Sequence, residues 1–186
     1  PDVETWTFQA FDKVKGTLRR VALNFGAPGD YPAPDGTLWF EYPVVGGKGP
    51  DFNLKIKGKA SYFRRHSLEL QGEQLQVAAS GIEGAVRVEL PLNSAQDYPY
   101  NVKMVFAEPT ETTAGKRIFD VKLQGKTVLQ NFDVVALTGK PLVSLVRDFA
   151  RVTARGTIVV ELVPVAGSEL PPLLSGFAVE RDEPVS

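Results

Sequence analysis

The sequence predicts an all-β domain, an antiparallel sandwich or barrel, on three observations. Apolar and polar residues alternate with a period of two along most of the chain. The alternating runs are short, and glycine-bearing turns separate them. The 14 prolines and 17 glycines gather largely in the connections, as in domains built from many short strands.

The elements follow in chain order. Residues 1–11, "PDVETWTFQAF", read as a lead-in strand that belongs partly to a preceding domain. Val21, Leu23 and Phe25 alternate with Arg20, Ala22 and Asn24 in the first run. "GAPGDYPAPDG" (26–36) and "YPVVGGKGPDF" (42–52) are too rich in Pro and Gly for regular structure and are expected to be rim loops. Lys55, Lys57 and Lys59 share one face of the next run, and Tyr62, Phe63, Arg64, Arg65 and His66 follow it. That stretch fits either a basic, aromatic-bearing surface for an acidic polysaccharide or single-stranded nucleic acid, or a sheet edge kept soluble by Lys. Turns are expected at Gln71-Gly72 and Ser80-Gly81. Val86, Val88 and Leu90 form the next alternating set, then Tyr100, Val102, Met104 and Phe106, then Phe119, Val121 and Leu123. "LVSLVRDFARV" (142–152) carries apolar residues at helical spacing, so a single amphipathic helix competes there with an extended segment. Its β-branched content and its place between strands favour the extended form. Turns at Gln124-Gly125 and Arg155-Gly156 bracket the last hairpins, and Ile158, Val160 and Leu162 close the set.

Composition excludes several function classes. A chain of 186 residues supports one sizeable β domain and is short for two. The formal net charge of -1 gives no pull toward nucleic acid or an anionic membrane, and no apolar run is long enough to span a bilayer. The opening residues lack the basic and apolar regions of a signal peptide. The only Met is Met104, so the chain is expected to be a piece of a larger protein. With no Cys and one His, neither thiolate chemistry nor a transition-metal site is expected, and no cofactor is.

Catalytic patterns are equally sparse. His66 is the sole imidazole, and its neighbour Ser67 would point to the opposite face of a strand. "GGKGP" (46–50) lacks the spacing and the strand-to-helix context of a phosphate loop. Glu108 and Glu111 flank a polar loop and are the least implausible glycosidase pair; two solvated rim carboxylates explain them better.

The succession "YNVKMVFAE" (100–108), "RIFDVKLQG" (117–125), "VLQNFDVVALTG" (128–139), "GTIVVELV" (156–163) and "LLSGFAVE" (173–180) resembles the malectin family of carbohydrate-binding domains. "VALNFGAPGD" and "DGTLWFEYP" (35–43) are similar to the family's opening. The resemblance implies an all-β, two-sheet antiparallel jelly-roll sandwich of the galactose-binding-like type, with sugar held by rim loops and no catalysis. It further implies a sandwich over 20–182, a lead-in over 1–19 and a tail over 183–186. "ETWTFQAF" (4–11) also resembles the junction that follows a quinoprotein-like β-propeller in exported bacterial-type proteins. An extracytoplasmic location, an oligo- or polysaccharide ligand and an adjacent propeller as partner follow as expectations, with neither nucleic acid nor membrane. The alternative is a structural module that docks on the propeller through Trp6, Phe8 and Phe11 and binds no sugar.

The family's loop after FAE carries stacking aromatics, whereas "PTETTAG" (109–115) has none. Platforms must therefore come from elsewhere. Trp39 and Tyr100 sit in alternating runs and are expected in the core. Tyr42 and Tyr62 are flanked by loops and charges, and Tyr62 is also similar to a family tyrosine. The expected sugar-binding set is Tyr42, Tyr62, Arg65, His66, Glu108 and Asp182. Asp120 is expected to order neighbouring backbone rather than touch ligand.

Overall fold

The computed structural model describes residues 2–4, 16–45 and 49–183, with the backbone alone for 2–4. Two sheets face one another. The first runs β12 (Leu145–Arg155), β9 (Asp97–Phe106), β15 (Gly176–Arg181), β2 (Thr17–Phe25), β4 (Leu38–Tyr42) and β3 (Tyr31–Pro32), with β1 (Asp2–Glu4) also beside β2. The second runs β11 (Lys126–Phe132), β10 (Phe119–Leu123), β13 (Thr157–Pro164), β8 (Arg87–Pro91) and β5 (Lys55–Lys57). Among the described residues they join only at the corner where Arg155 pairs with Thr157 across Gly156. A short third sheet, β14 (Leu173–Leu174), β7 (Ser80–Glu83) and β6 (Ser61–Arg64), closes one end. The expected antiparallel sandwich is thus observed, apart from the parallel pairs β1–β2 and β2–β4.

The alternating sets meet between the sheets. Val21, Leu23, Val102, Met104, Phe177 and Val179 from the first sheet pack in one cluster with Val88, Leu90, Val121, Ile158, Val160 and Leu162 from the second. Each large side chain so buried is worth roughly 1.5–3 kcal/mol. Trp39 and Tyr100 are buried as expected. Leu18 belongs to this core too, because β2 starts at Thr17, inside the segment expected as lead-in. The stretch from Trp6 to Phe11 and the residues from Pro184 onward lie outside the described residues.

The ambiguous stretch 142–152 resolves as strand, and the structure explains its helix-like spacing. A bulge between Phe149 and Val152 inserts residues into β12, with Arg151 at φ +55°. Leu145, Phe149 and Val152 therefore reach the same core from unequal spacings, while Leu142 and Val146 pack in a second cluster.

That second cluster lies on the outer face of the first sheet. Helix α1 (Leu75–Ala78), preceded by a 3-10 turn (Ser67–Glu69), places Val77 and Ala78 with Ala22, Trp39, Val105 and Ala107. Ser80-Gly81, expected as a turn, instead lies inside β7. Gly81 is required there because a Cβ would stand 2.4 Å from the Phe63 ring. The Lys-bearing run is an edge strand among the described residues, where β5 pairs only with β8.

Candidate functional site: the tyrosine-bearing end of the sandwich

The end closed by β6 holds two of the expected platforms together. Tyr42 ends β4 and sets its ring edge-on to Phe25, at 6.1 Å and 84°. Its carbonyl accepts the Gly26 N–H at 2.7 Å, and the Gly26 carbonyl accepts from Arg64 Nε and Nη2 at 3.0 and 2.8 Å. Arg64 thereby ties β6 to the turn that carries Tyr42. Tyr62 stands two residues earlier, on the same face of β6 as Arg64, and is 41% exposed. Sequence reasoning named Arg64 in the basic stretch but put Arg65 in the expected site; the period of two that puts Tyr62 and Arg64 on one face was the available signal.

Beside Tyr42 opens a cleft of about 330 Å³, lined by Asp30, Phe40, Glu41, Tyr42, Asp51 and Phe52, among others. Glu41 Oε2 is buried there with no hydrogen-bond partner among the described residues. An acceptor left so costs about 1–3 kcal/mol unless a donor arrives.

Burial raises the Tyr62 hydroxyl above its ordinary pKa, and the nearby Tyr42 raises it further. Burial first and Asp51 second raise Tyr42 in the same way. Both phenols stay protonated at neutral pH and can donate as well as accept. A raised folded pKa means that their contribution to stability is complete below about pH 10 and is lost as pH climbs through the folded value. In a spectrophotometric titration, Tyr62→Phe will remove a phenol that ionises above about pH 10. A difference midpoint at or below that value would contradict the burial described.

The other expected residues do not converge on this cleft. His66 caps the 3-10 turn: its Nδ1 accepts the Leu68 N–H at 3.2 Å, and its own N–H donates to Glu69 Oε1 at 3.1 Å. Arg65 pairs with Glu69 at 2.5 Å. The Glu69 carboxyl is held below its usual range by the His66 backbone N–H first and by Arg65 second. Arg65 and His66 thus hold a turn together. Asp182 follows the far end of β15, where it accepts from Arg151 at 3.1 Å. Gly176, at the near end of the same strand, pairs with Asn24 beside the Tyr42 turn, so Asp182 lies roughly 20 Å from the tyrosines at ~3.3 Å per residue.

Glu108 is 1% exposed, and its two oxygens accept from Arg117 Nε and Nη2 at 2.6 and 2.9 Å. Arg117 Nη1 also donates to Glu83 Oε2 at 3.0 Å and to the Pro171 carbonyl at 2.5 Å. Burial alone would lower the Arg117 pKa, but Glu108 and then Glu83 more than reverse this and raise it. A carboxylate engaged in this way neither contacts sugar nor works as a general acid with exposed Glu111. Asp120 orders backbone as expected, accepting the Asn131 N–H at 2.8 Å. Among the described residues, no group of three or more His, Asp or Glu could hold a metal, and no helix is long and apolar enough to cross a membrane.

Comparison with known proteins agrees with this architecture. Residues 85–163, which run from just before β8 to near the end of β13, match the malectin domain family model. A nodulation receptor kinase of Pisum sativum is 28% identical over 128 residues, which cover 66% of this chain and 13% of that protein. The extracellular domain of ANXUR2 from Arabidopsis thaliana superposes with a TM-score of 0.65 at 15% identity, covering 88% of this chain and 49% of that one. A Bacteroides uniformis beta-glucuronidase superposes at 0.63 with 14% identity, over 88% of this chain and 18% of the enzyme. The chain therefore spans a small part of the receptor kinase and under half of the two solved chains.

Proposed function

We propose that this chain is a malectin-family, non-catalytic carbohydrate-binding module of an exported multidomain protein, acting outside the cytoplasm. It holds a glycan at the end that carries Tyr42 and Tyr62. The observation that supports this most is a cleft that joins protonated Tyr42 to the unpartnered Glu41 oxygen, with protonated Tyr62 close to Tyr42. A pyranose offers an apolar C–H face to the rings and hydroxyl donors to the carboxylate. The match to the malectin model over 85–163 supports the same reading. The wild-type chain will be retarded in gels containing at least one neutral polysaccharide, and Tyr62→Ala will abolish the retardation. Free migration of the wild type through every polysaccharide gel would overturn the reading.

A second reading is a module that binds a protein neighbour and no sugar. Leu68, at the tip of the 3-10 turn, is 87% exposed and Val45 is 60% exposed, and apolar side chains in water favour a contact. The likeness to a receptor kinase and a receptor ectodomain supports this reading as well. Pull-down of a neighbouring propeller domain by the chain, lost in Leu68→Asp, would favour it over the first.

A further inference from the structure

The outer face of the first sheet carries a groove of about 300 Å³ that the tyrosine end does not share. Register explains how it arises. One row across the sheet reads Trp39, Ala22, Ala178, Lys103 and Asp148. Small residues in the middle, with a large ring at one side and long polar chains at the other, leave a trough. The next row supplies Arg20, Glu180 and Asn101, and Gln74 joins the wall from beside α1.

The wall contributed by Trp39 carries an unmet donor. Its indole N–H is buried and has no acceptor among the described residues. The benzo edge, Cζ3 and Cη2, packs at 3.0 and 3.5 Å from where a Cβ on Gly176 would stand. The nitrogen lies on the edge of the ring away from that glycine. A buried indole N–H ordinarily finds a partner, so its solitude points to a ligand group.

The rim chemistry selects the ligand class. Lys103 is already paired with Asp148 at 3.1 Å, and Arg20 stands opposite Glu180 in the register, so no excess of positive charge awaits an anion. Paired charges and amides offer donors and acceptors side by side, which suits vicinal hydroxyls. The volume lies at the small end for ligand pockets and holds one or two sugar rings.

We propose that this groove is a second binding site, for a neutral mono- or disaccharide, with the Trp39 indole N–H donating to a ligand oxygen. The saccharide class rests on the reading given above; the location does not.

The chain has 2 Trp, so two indole N–H resonances report on it, and Trp6→Phe assigns the one from Trp39. The full ¹⁵N-labelled chain is titrated with maltose, cellobiose and lactose at millimolar concentration. The Trp39 resonance will move with at least one of them, will move equally in Tyr62→Ala, and will stay still in Ala178→Leu, which fills the trough. Trp39→Phe, which keeps a ring and loses the donor, will weaken groove binding about tenfold, as followed by the amides of residues 101–103. If the shift vanishes in Tyr62→Ala, or no sugar moves Trp39 while gel retardation persists, the groove is not a site and the tyrosine end still is. If the shift survives and Tyr42 and Tyr62 affect no binding, the groove stands and the tyrosine end falls. Silence in both assays overturns both.

Discussion

An Arg117→Met variant will unfold roughly 6–20 °C below the wild type, the shift expected for a loss of about 3–5 kcal/mol in a domain of this size. Arg117 and Glu108 are almost wholly buried, at 3% and 1% side-chain exposure, and Glu83 is mostly buried at 20%. Removing the guanidinium leaves one carboxylate fully enclosed and a second largely so, both without the cation that pairs with them. It also orphans the Pro171 carbonyl. The penalty is the desolvation of unpaired charge, which greatly exceeds the worth of an exposed pair such as Lys103–Asp148. Adding Glu108→Leu to Arg117→Met will restore part of the loss, because it removes the stranded charge that causes most of it. A thermal shift under about 2 °C in the single variant would show that water or another cation already satisfies these carboxylates. The same cluster bears on the site. Glu83 pairs with Ser61 and Leu173 in the third sheet, one residue from Tyr62 on β6, so loosening Arg117 loosens the strand that presents the tyrosine.

Phe106→Ala will cost about 3–5 kcal/mol by chemical denaturation, with the slope against denaturant unchanged. Phe106 is fully buried in an aromatic triad, 4.8 Å from Phe132 and 6.2 Å from Phe119, and those two rings lie 5.6 Å apart edge to face. Truncation to Ala removes ring contacts on two sides and leaves a cavity that backbone hydrogen bonds of β9 prevent from closing. Phe106→Leu keeps most of the volume and will cost less than half as much. Equal losses for Ala and Leu would mean that the aromatic geometry, rather than filled volume, stabilises this corner.

The sandwich was legible because its signal is local. Val102, Met104 and Phe106, or Val121 and Leu123, alternate as any strand with one buried face must. The 142–152 stretch, read correctly as extended, stayed ambiguous because a bulge breaks that period, and sequence carries little trace of a bulge unless a glycine marks it; here Arg151 takes the left-handed backbone instead. The parallel β2–β4 pairing and the α1 cover over Trp39 arise from long-range contact and left no periodic mark.

The site was only half legible. Tyr42 and Tyr62 stood out because aromatic residues flanked by loops and charges belong to no alternating run, although Tyr42 also packs on Phe25 at the edge of the core. Glu108 and Asp182 stood out for the wrong physical reason, since a carboxylate reads alike whether it meets solvent or a buried guanidinium. Arg117, 9 positions from Glu108, gives no sign in one dimension that it turns inward to meet it. Arg65 and His66 are near the right place, but their side chains hold the turn at 67–69.

The decisive comparison is calorimetric titration of the wild type and of a Tyr42→Ala/Tyr62→Ala double variant with oligosaccharides cut from the polysaccharide that retards the chain. The tyrosine end predicts a loss of about 30- to 150-fold in affinity, the combined weight of two stacking contacts of about 1–1.5 kcal/mol each, with the melting temperature changed by only a few degrees. An affinity within about threefold of wild type in a folded double variant would place glycan recognition elsewhere on the molecule.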